Sequence, residues 1–238
     1  TYPHSTSHGW SMLISQLAED DDGFAKKLFF KASQLGKQTI HIFCGALANA
    51  KKLLADFSEE DWKQYFARLK GLHNISDYWL GQTVVLCSNL YPEIVHGFVK
   101  GRIEAYKTFE GEGKGVNYRP FPHLVESDWA GAFAKTDAPT RDKLFWDAVN
   151  CVEANGTGAL MSLFYAKYAG LISQRMMDEG ILNSTRQAIP AATEGKIYAI
   201  ACVVQHSHPD FTFLNSDIVE ALIAKAQLIS EKCCKDIM

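Results

Sequence analysis

Between Lys100 and Phe121 the chain reads KGRIEAYKTFEGEGKGVNYRPF. Lys100, Arg102, Lys107, Lys114 and Arg119 alternate there with Tyr106, Phe109, Tyr118 and Phe121. Cations that meet phosphates and ring faces that stack on bases are what a groove for single-stranded nucleic acid requires. Gly111, Gly113 and Gly115 loosen the second half, and Glu104, Glu110 and Glu112 oppose a polyanion. The same composition also suits a linker. Further cations sit at expected helix ends: Lys51, Lys52, Arg68, Lys70, Arg175 and Arg186. Arg141 and Lys143 open an expected helix, where the macrodipole favours acids, so a phosphate or a neighbouring carboxylate must answer them.

Other chemistry finds less support. The sequence contains no P-loop, dinucleotide fingerprint, nucleophile elbow or HExxH. Glu93-x-x-His96 is a single copy of a motif that a di-iron bundle needs twice. His206-Ser207-His208 lacks a carboxylate at recognisable ligand spacing, and the six cysteines include no C-x-x-C pair. Neither a catalytic residue, a metal nor a cofactor is therefore expected. A helical enzyme or haem or metal carrier, using His41, His96 or His206 with His208, is the first rival reading. A protein-interaction module or effector is the second.

Composition is that of an ordinary globular chain: 238 residues, 47% hydrophobic, 21% charged and a net charge of −3. That net charge argues against indiscriminate binding to nucleic acid. Its distribution is uneven, because Gly23 to Lys107 holds 12 basic and 7 acidic residues. Thr1 to Trp10 is too polar for a signal peptide, and the longest apolar run, Ile197 to Gln205, is too short for a membrane span. Cysteines scattered through apolar patterns suggest free thiols in a reducing, cytoplasmic setting.

Helical spacing dominates the chain, and the expected fold class is all-α. Trp10, Leu13, Ile14 and Leu17 mark a short amphipathic helix. The acidic run Glu19 to Asp22 is read as a hinge or solvated loop. Helices follow over Phe24 to Leu35 and Thr39 to Phe57. Ser58-Glu59-Glu60-Asp61 resembles a capping box for the next helix. Ser76 is placed to cap Asp77 to Leu90, and Pro92 to open a helix through Lys107. Further helices are expected over Asp128 to Ala134, Thr140 to Ala154, Ala159 to Asp178, Glu194 to Gln205 (capped by Thr193) and Asp217 to Cys233. The expected organisation is an arm (1–22), a first helical lobe (23–108) and a second lobe beginning with the Gly-rich junction (109–238).

Several segments resemble the nucleoproteins of phleboviruses and related segmented negative-strand RNA viruses. They are YWLGQTVVLCSNLYP (Tyr78 to Pro92), DWAGAF (Asp128 to Phe133), WDAV (Trp146 to Val149) and SLFYAKYAGLIS (Ser162 to Ser173), in the family's order. IFCGALANAKKL (Ile42 to Leu53) is similar to its basic first-lobe helix. The chain departs from the family in being slightly acidic and in its longer Ile94 to Tyr118 insertion. The resemblance implies two helical lobes around a cleft for single-stranded RNA, bound without sequence preference, in the cytoplasm and the virion. Phosphate contacts would come from Lys51, Lys52, Arg68, Lys70, Lys100, Arg102, Lys107, Arg119 and Arg175. Base stacking would come from Tyr106, Phe109, Tyr118 and Phe121. Trp10, Leu13, Ile14 and Leu17 would dock the arm on a neighbouring copy, giving rings or filaments.

Overall fold

A computed structural model describes residues 3–32, 53, 56–70, 78–111, 120, 129–156 and 159–229. The fold is all-α: among the described residues every regular element is a helix. The chain divides into two compact units, Thr1–Ala130 and Gly131–Met238. The division falls beyond the expected boundary at 108/109, because the helix that begins at Pro92 continues through that point to Gly111.

The first unit contains α1 (Pro3–Asp20), α2 (Asp22–Ala32), α3 (Glu59–Lys70), α4 (Tyr78–Leu90) and α5 (Pro92–Gly111). The acidic run is not a loop. Glu19 and Asp20 complete α1, Asp22 opens α2, and Asp21 alone stands between them. The Asp21 carboxylate accepts from Phe24 N at 2.9 Å, so the acid caps α2, where a negative charge also suits the helix dipole. Helix α1 is longer than the Trp10–Leu17 spacing suggested, and it contacts α2.

The capping box expected at Ser58 is present. Asp61 N donates to Ser58 Oγ at 3.3 Å, and Ser58 N donates back to the Asp61 carboxylate at 2.9 Å. Lys26 of α2 adds an ion pair to the same carboxylate at 2.8 Å. Trp62, Tyr65, Phe66 and Leu69 then recur at helical spacing on the buried side of α3. The rings of Trp62, Tyr65 and Phe66 join Phe29, Phe30 and Phe57 in a continuous aromatic core, with neighbouring centroids such as Phe57–Trp62 at 5.1 Å. Phe66 meets Phe98 of α5 at 4.6 Å, while Lys70, one turn further along α3, lies beside Gly101. Helices α3 and α5 therefore run parallel.

The second unit contains α6 (Ala138–Asn155), α7 (Leu160–Ile172), α8 (Glu179–Ala188), a 3₁₀ turn (Ile189–Ala191), α9 (Glu194–Val204), α10 (Phe211–Leu214) and α11 (Ser216–Ile229). Asp137 caps α6 by accepting from Thr140 N at 2.9 Å, and Thr193 caps α9 as expected. Gly156, at φ 73°, ends α6 and lets the chain turn back into α7. Helices α6 and α7 pack on each other, and α9 packs on both. Near-complete burial of Tyr165, Ala166, Tyr168, Ala169 and Ile172 makes α7 the centre of this unit. Ala130 to Lys135 forms turns, within the span expected to be a helix over Asp128 to Ala134.

The helix expected to run to Asp178 stops at Ile172. Gln174, Arg175 and Met176 follow at φ 50°, 59° and 61°, three successive side-chain-bearing residues in left-handed backbone. Each such residue costs about 1–2 kcal/mol. Local bonds offset this: Arg175 N donates to Gly170 O at 2.6 Å, Met176 N to Ser173 Oγ at 3.0 Å, and His208 N to Arg175 O at 2.9 Å. Met176 is fully buried, which fixes the turn from inside.

Asp61 supplies a pH test. Burial raises its carboxyl pKa, but hydrogen bonds from Lys26 and Ser58 outweigh that and hold it below the usual value. The stabilisation is therefore complete above the unfolded value, about pH 3.9, and is lost as pH falls through the lower folded value. Urea unfolding of Asp61→Ala at pH 7 should show a loss of about 1–2 kcal/mol. The gap to wild type should narrow below about pH 4.

Candidate nucleic-acid interface

Helix α5 carries most of the candidate residues, and its periodicity sorts them. With 3.6 residues per turn, Val95, Val99, Arg102, Tyr106 and Phe109 share one stripe. Val95, Val99 and Arg102 are fully buried, and Tyr106 and Phe109 are half-buried at the end of the same stripe. Glu93, Gly97, Lys100, Glu104 and Lys107 form the other stripe, exposed except for half-buried Lys100. The rings thus continue the core side while the lysines follow the solvent side. As stacking partners for one strand lying on these lysines, Tyr106 and Phe109 are on the wrong face.

Arg102 is not a surface cation. It is fully buried, and its guanidinium donates to Pro120 O from Nε at 3.4 Å and Nη2 at 3.3 Å. Nη1 donates to Lys70 O at 3.3 Å. A buried charge must be met by acceptors, and here backbone carbonyls at the C-terminal end of α3 and beyond α5 supply them. Arg68 is also committed to the fold. Its Nη1 donates to Phe30 O at 2.6 Å and its guanidinium lies 5.4 Å from the Phe30 ring centre. Burial lowers its pKa. Both expected phosphate contacts are corrected to structural ties.

Lys70 and Lys107 are exposed, and Lys100 is half-buried. The stem of Lys70 lies across Gly101, where a Cβ would collide with its Cε. A groove of about 430 Å³ opens between α3 and α5, with Phe66, Ala67, Ile94, Gly97 and Phe98 in its floor and Lys63 and Lys70 on its rim. The sequence reading missed Lys63 and this groove. The available signal was Gly97-x-x-x-Gly101, two small residues one turn apart in an otherwise sound helix.

In the second unit Arg175 is exposed on the left-handed turn. Arg141 finds the carboxylate its position demanded: Nη2 pairs with Asp178 at 2.8 Å, and Nη1 donates to Phe133 O at 3.3 Å. Arg186 pairs with Asp217 at 2.6 Å. His206 is half-buried, and burial, then the nearby Lys167 charge, lowers its pKa. His208 Nδ1 accepts from Asp210 N at 3.2 Å. The same nitrogen lies 3.5 Å from the Asp210 carboxylate.

On α1, Leu13 is 42% exposed but Ile14 is fully buried, with Leu17 between the two extremes. Ile14 therefore packs within its own chain and is corrected as a docking residue. Lys51, Lys52, Arg119, Tyr118, Phe121, His41 and the Trp10 side chain lie outside the described residues. Among the described residues no group of three or more His, Cys, Asp or Glu side chains is placed to hold a metal ion, and His96 is buried within α5. Burial raises the thiol pKa of Cys87 strongly and that of Cys202 in the same direction. No helix of the described residues is long and apolar enough to cross a membrane.

Compared with protein families, curated proteins and solved structures, the chain matches none.

The two kinds of α5 cation should separate in unfolding experiments. Arg102→Ala should cost on the order of 3 kcal/mol, because buried carbonyls lose their donors. Lys107→Ala should stay within about 0.5 kcal/mol of wild type.

Proposed function

We propose that the chain is a sequence-independent, single-stranded RNA-binding nucleoprotein that assembles with copies of itself. The observation that carries this reading is the solvent-side row of lysines along α5. Lys100 and Lys107 are seven residues apart, or about 10 Å along the helix axis. Lys70 adds a cation where α3 meets Gly101. Such a row meets successive phosphates without reading bases. Glu104 lies within it and tempers the field, in keeping with binding strongest at low salt. Arg175 is the corresponding contact in the second unit, held at a fixed position by the bonds of its turn.

The likeness of four ordered segments to phlebovirus-type nucleoproteins supports the same reading, as does the all-helical fold. Self-assembly through α1 would use Met12 and Leu13, which are 48% and 42% exposed, and not Ile14.

Affinity for labelled oligouridine, measured by fluorescence anisotropy across a salt series, tests the proposal. Each phosphate contact on a single strand contributes a slope of about −0.7 in log K against log salt. Replacing Lys70, Lys100 and Lys107 together by Gln should reduce the slope by about 2, with little change in unfolding. An absence of binding at low salt, with the protein monomeric at high concentration, would refute it.

A further inference from the structure

We propose that His206 is an acid-sensitive latch on the left-handed turn at Gln174 to Met176. The neutral imidazole keeps the segment after α9 seated on α7, and its protonation releases that segment together with the turn. The inference concerns the second unit alone and does not rest on RNA binding.

Gly170 of α7 joins the two segments. Its carbonyl accepts from Arg175 N at 2.6 Å and from Ser173 Oγ at 3.1 Å. The segment after α9 lies against the same residue: a Cβ on Gly170 would stand 3.4 Å from His206 O and 3.6 Å from His206 Cβ. Two residues on, His208 N donates to Arg175 O at 2.9 Å, and His208 O accepts from the N–H of fully buried Phe211 at 2.9 Å. Arg175 thus has its N–H held by α7 and its carbonyl held by the segment that His206 begins. Left-handed backbone at three successive side-chain-bearing residues persists only where neighbours over-determine it. Loss of the His208 bond removes one of those ties. Asp178, at the far end of the turn, is fixed separately by Arg141 at 2.8 Å and by its cap on α8. Release is therefore confined to the turn and the segment after α9. Arg175 is exposed, so the latch sets whether its side chain is presented from a fixed backbone.

His206 is placed where a second ring proton is costly. Its Nε2 is buried, and no described residue offers it a hydrogen bond. A protonated imidazole has two N–H donors, so one of them would point into protein without an acceptor. The surrounding charges do not compensate. Helix α7 brings Lys167, one turn before Gly170, and the turn brings Arg175. Helix α9 brings Cys202, whose thiol burial keeps protonated. Its own segment brings His208 and Asp210, and the Asp210 carboxylate is 69% exposed beside His208. Burial, then the Lys167 charge, hold the His206 pKa below its ordinary value of 6.5. Released into solvent, the ring takes up its proton at about pH 6.5. Seated on α7, it does so only at lower pH. The latch is therefore complete above about pH 6.5 and is lost as pH falls through the lower, seated value.

Hydrogen exchange of the full chain tests this, read by mass spectrometry from about pH 7.5 to about pH 5 and corrected for the intrinsic pH dependence of exchange. Protection of peptides covering the turn and the segment after α9 should be constant above about pH 6.5 and fall below it by up to about tenfold per pH unit. Protection of α6 should not follow. His206→Gln cannot gain the proton and should abolish the fall. Lys167→Gln removes the neighbouring charge, raises the seated pKa and should make the fall smaller. It leaves the imidazole in place, so it decides the question if His206→Gln does not fold. His208→Gln should keep the fall. Protection in wild type that does not change with pH would overturn the proposal. So would a fall that survives His206→Gln, is undiminished in Lys167→Gln, disappears in His208→Gln or is shared equally by α6.

Discussion

A guanidinium held wholly out of water is the constraint around which the first unit is arranged. Arg102 reaches Lys70 O and Pro120 O, three bonds of 3.3–3.4 Å that connect α5 to the end of α3 and to the chain beyond the Gly-rich segment. Burial of such a charge is tolerated only where acceptors surround it. The register between α3 and α5 is therefore narrowly set. That register brings Phe66 onto Phe98, lays Lys70 over Gly101 and opens the groove between the two helices. In the second unit Arg141 has a comparable place. It links the left-handed residue Phe133 to Asp178, which also caps α8 through Ile181 N at 3.1 Å. Each arginine satisfies backbone that no regular helix could satisfy.

These commitments change how the cations should be counted. Arg68, Arg102, Arg141 and Arg186 each have an internal partner that explains their presence. Arginine suits this work because its planar fork presents several donors in fixed directions. The lysines at Lys70 and Lys107 remain at the surface, as expected of a strongly hydrated point charge on a flexible stem. A basic surplus in the sequence therefore overstates the positive field available to a polyanion. Exposed Lys70 and Lys107, with exposed Glu104 one turn from Lys107, suit contacts whose strength varies with salt.

Much of the fold was legible because its signals are local. Ser58 with Asp61, and Thr193 with Lys196, mark helix starts through bonds that span three residues, and the apolar spacing of α3, α6 and α9 identifies their buried faces. The errors arose where distant contacts decide the outcome. Nothing near Ile172 announces a helix stop, since the turn depends on Ser173, on His208 N from beyond α9 and on burial of Met176. The acidic run looked like a solvated loop, yet one residue, Asp21, suffices to end one helix and cap the next. The candidate site was legible in residue type but not in direction. Lys107 and Tyr106 are neighbours in sequence and lie about 100° apart around a helix axis, so their company in a motif says little about a shared surface.

Gly97 and Gly101 show how far packing can separate two identical residues. Gly101 has an internal reason: the Lys70 stem crosses it, and a methyl group there would displace that side chain. Gly97 occupies the same helix one turn earlier and faces open space in the groove floor. The first glycine's conformational cost is offset within the unit, through contact between α3 and α5. Among the described residues nothing lies within 4 Å of a Cβ at the second, so alanine would fit there and strengthen the helix. The same helix thus holds one glycine that its packing fixes and one that its packing leaves replaceable, a distinction that their spacing along the sequence does not carry.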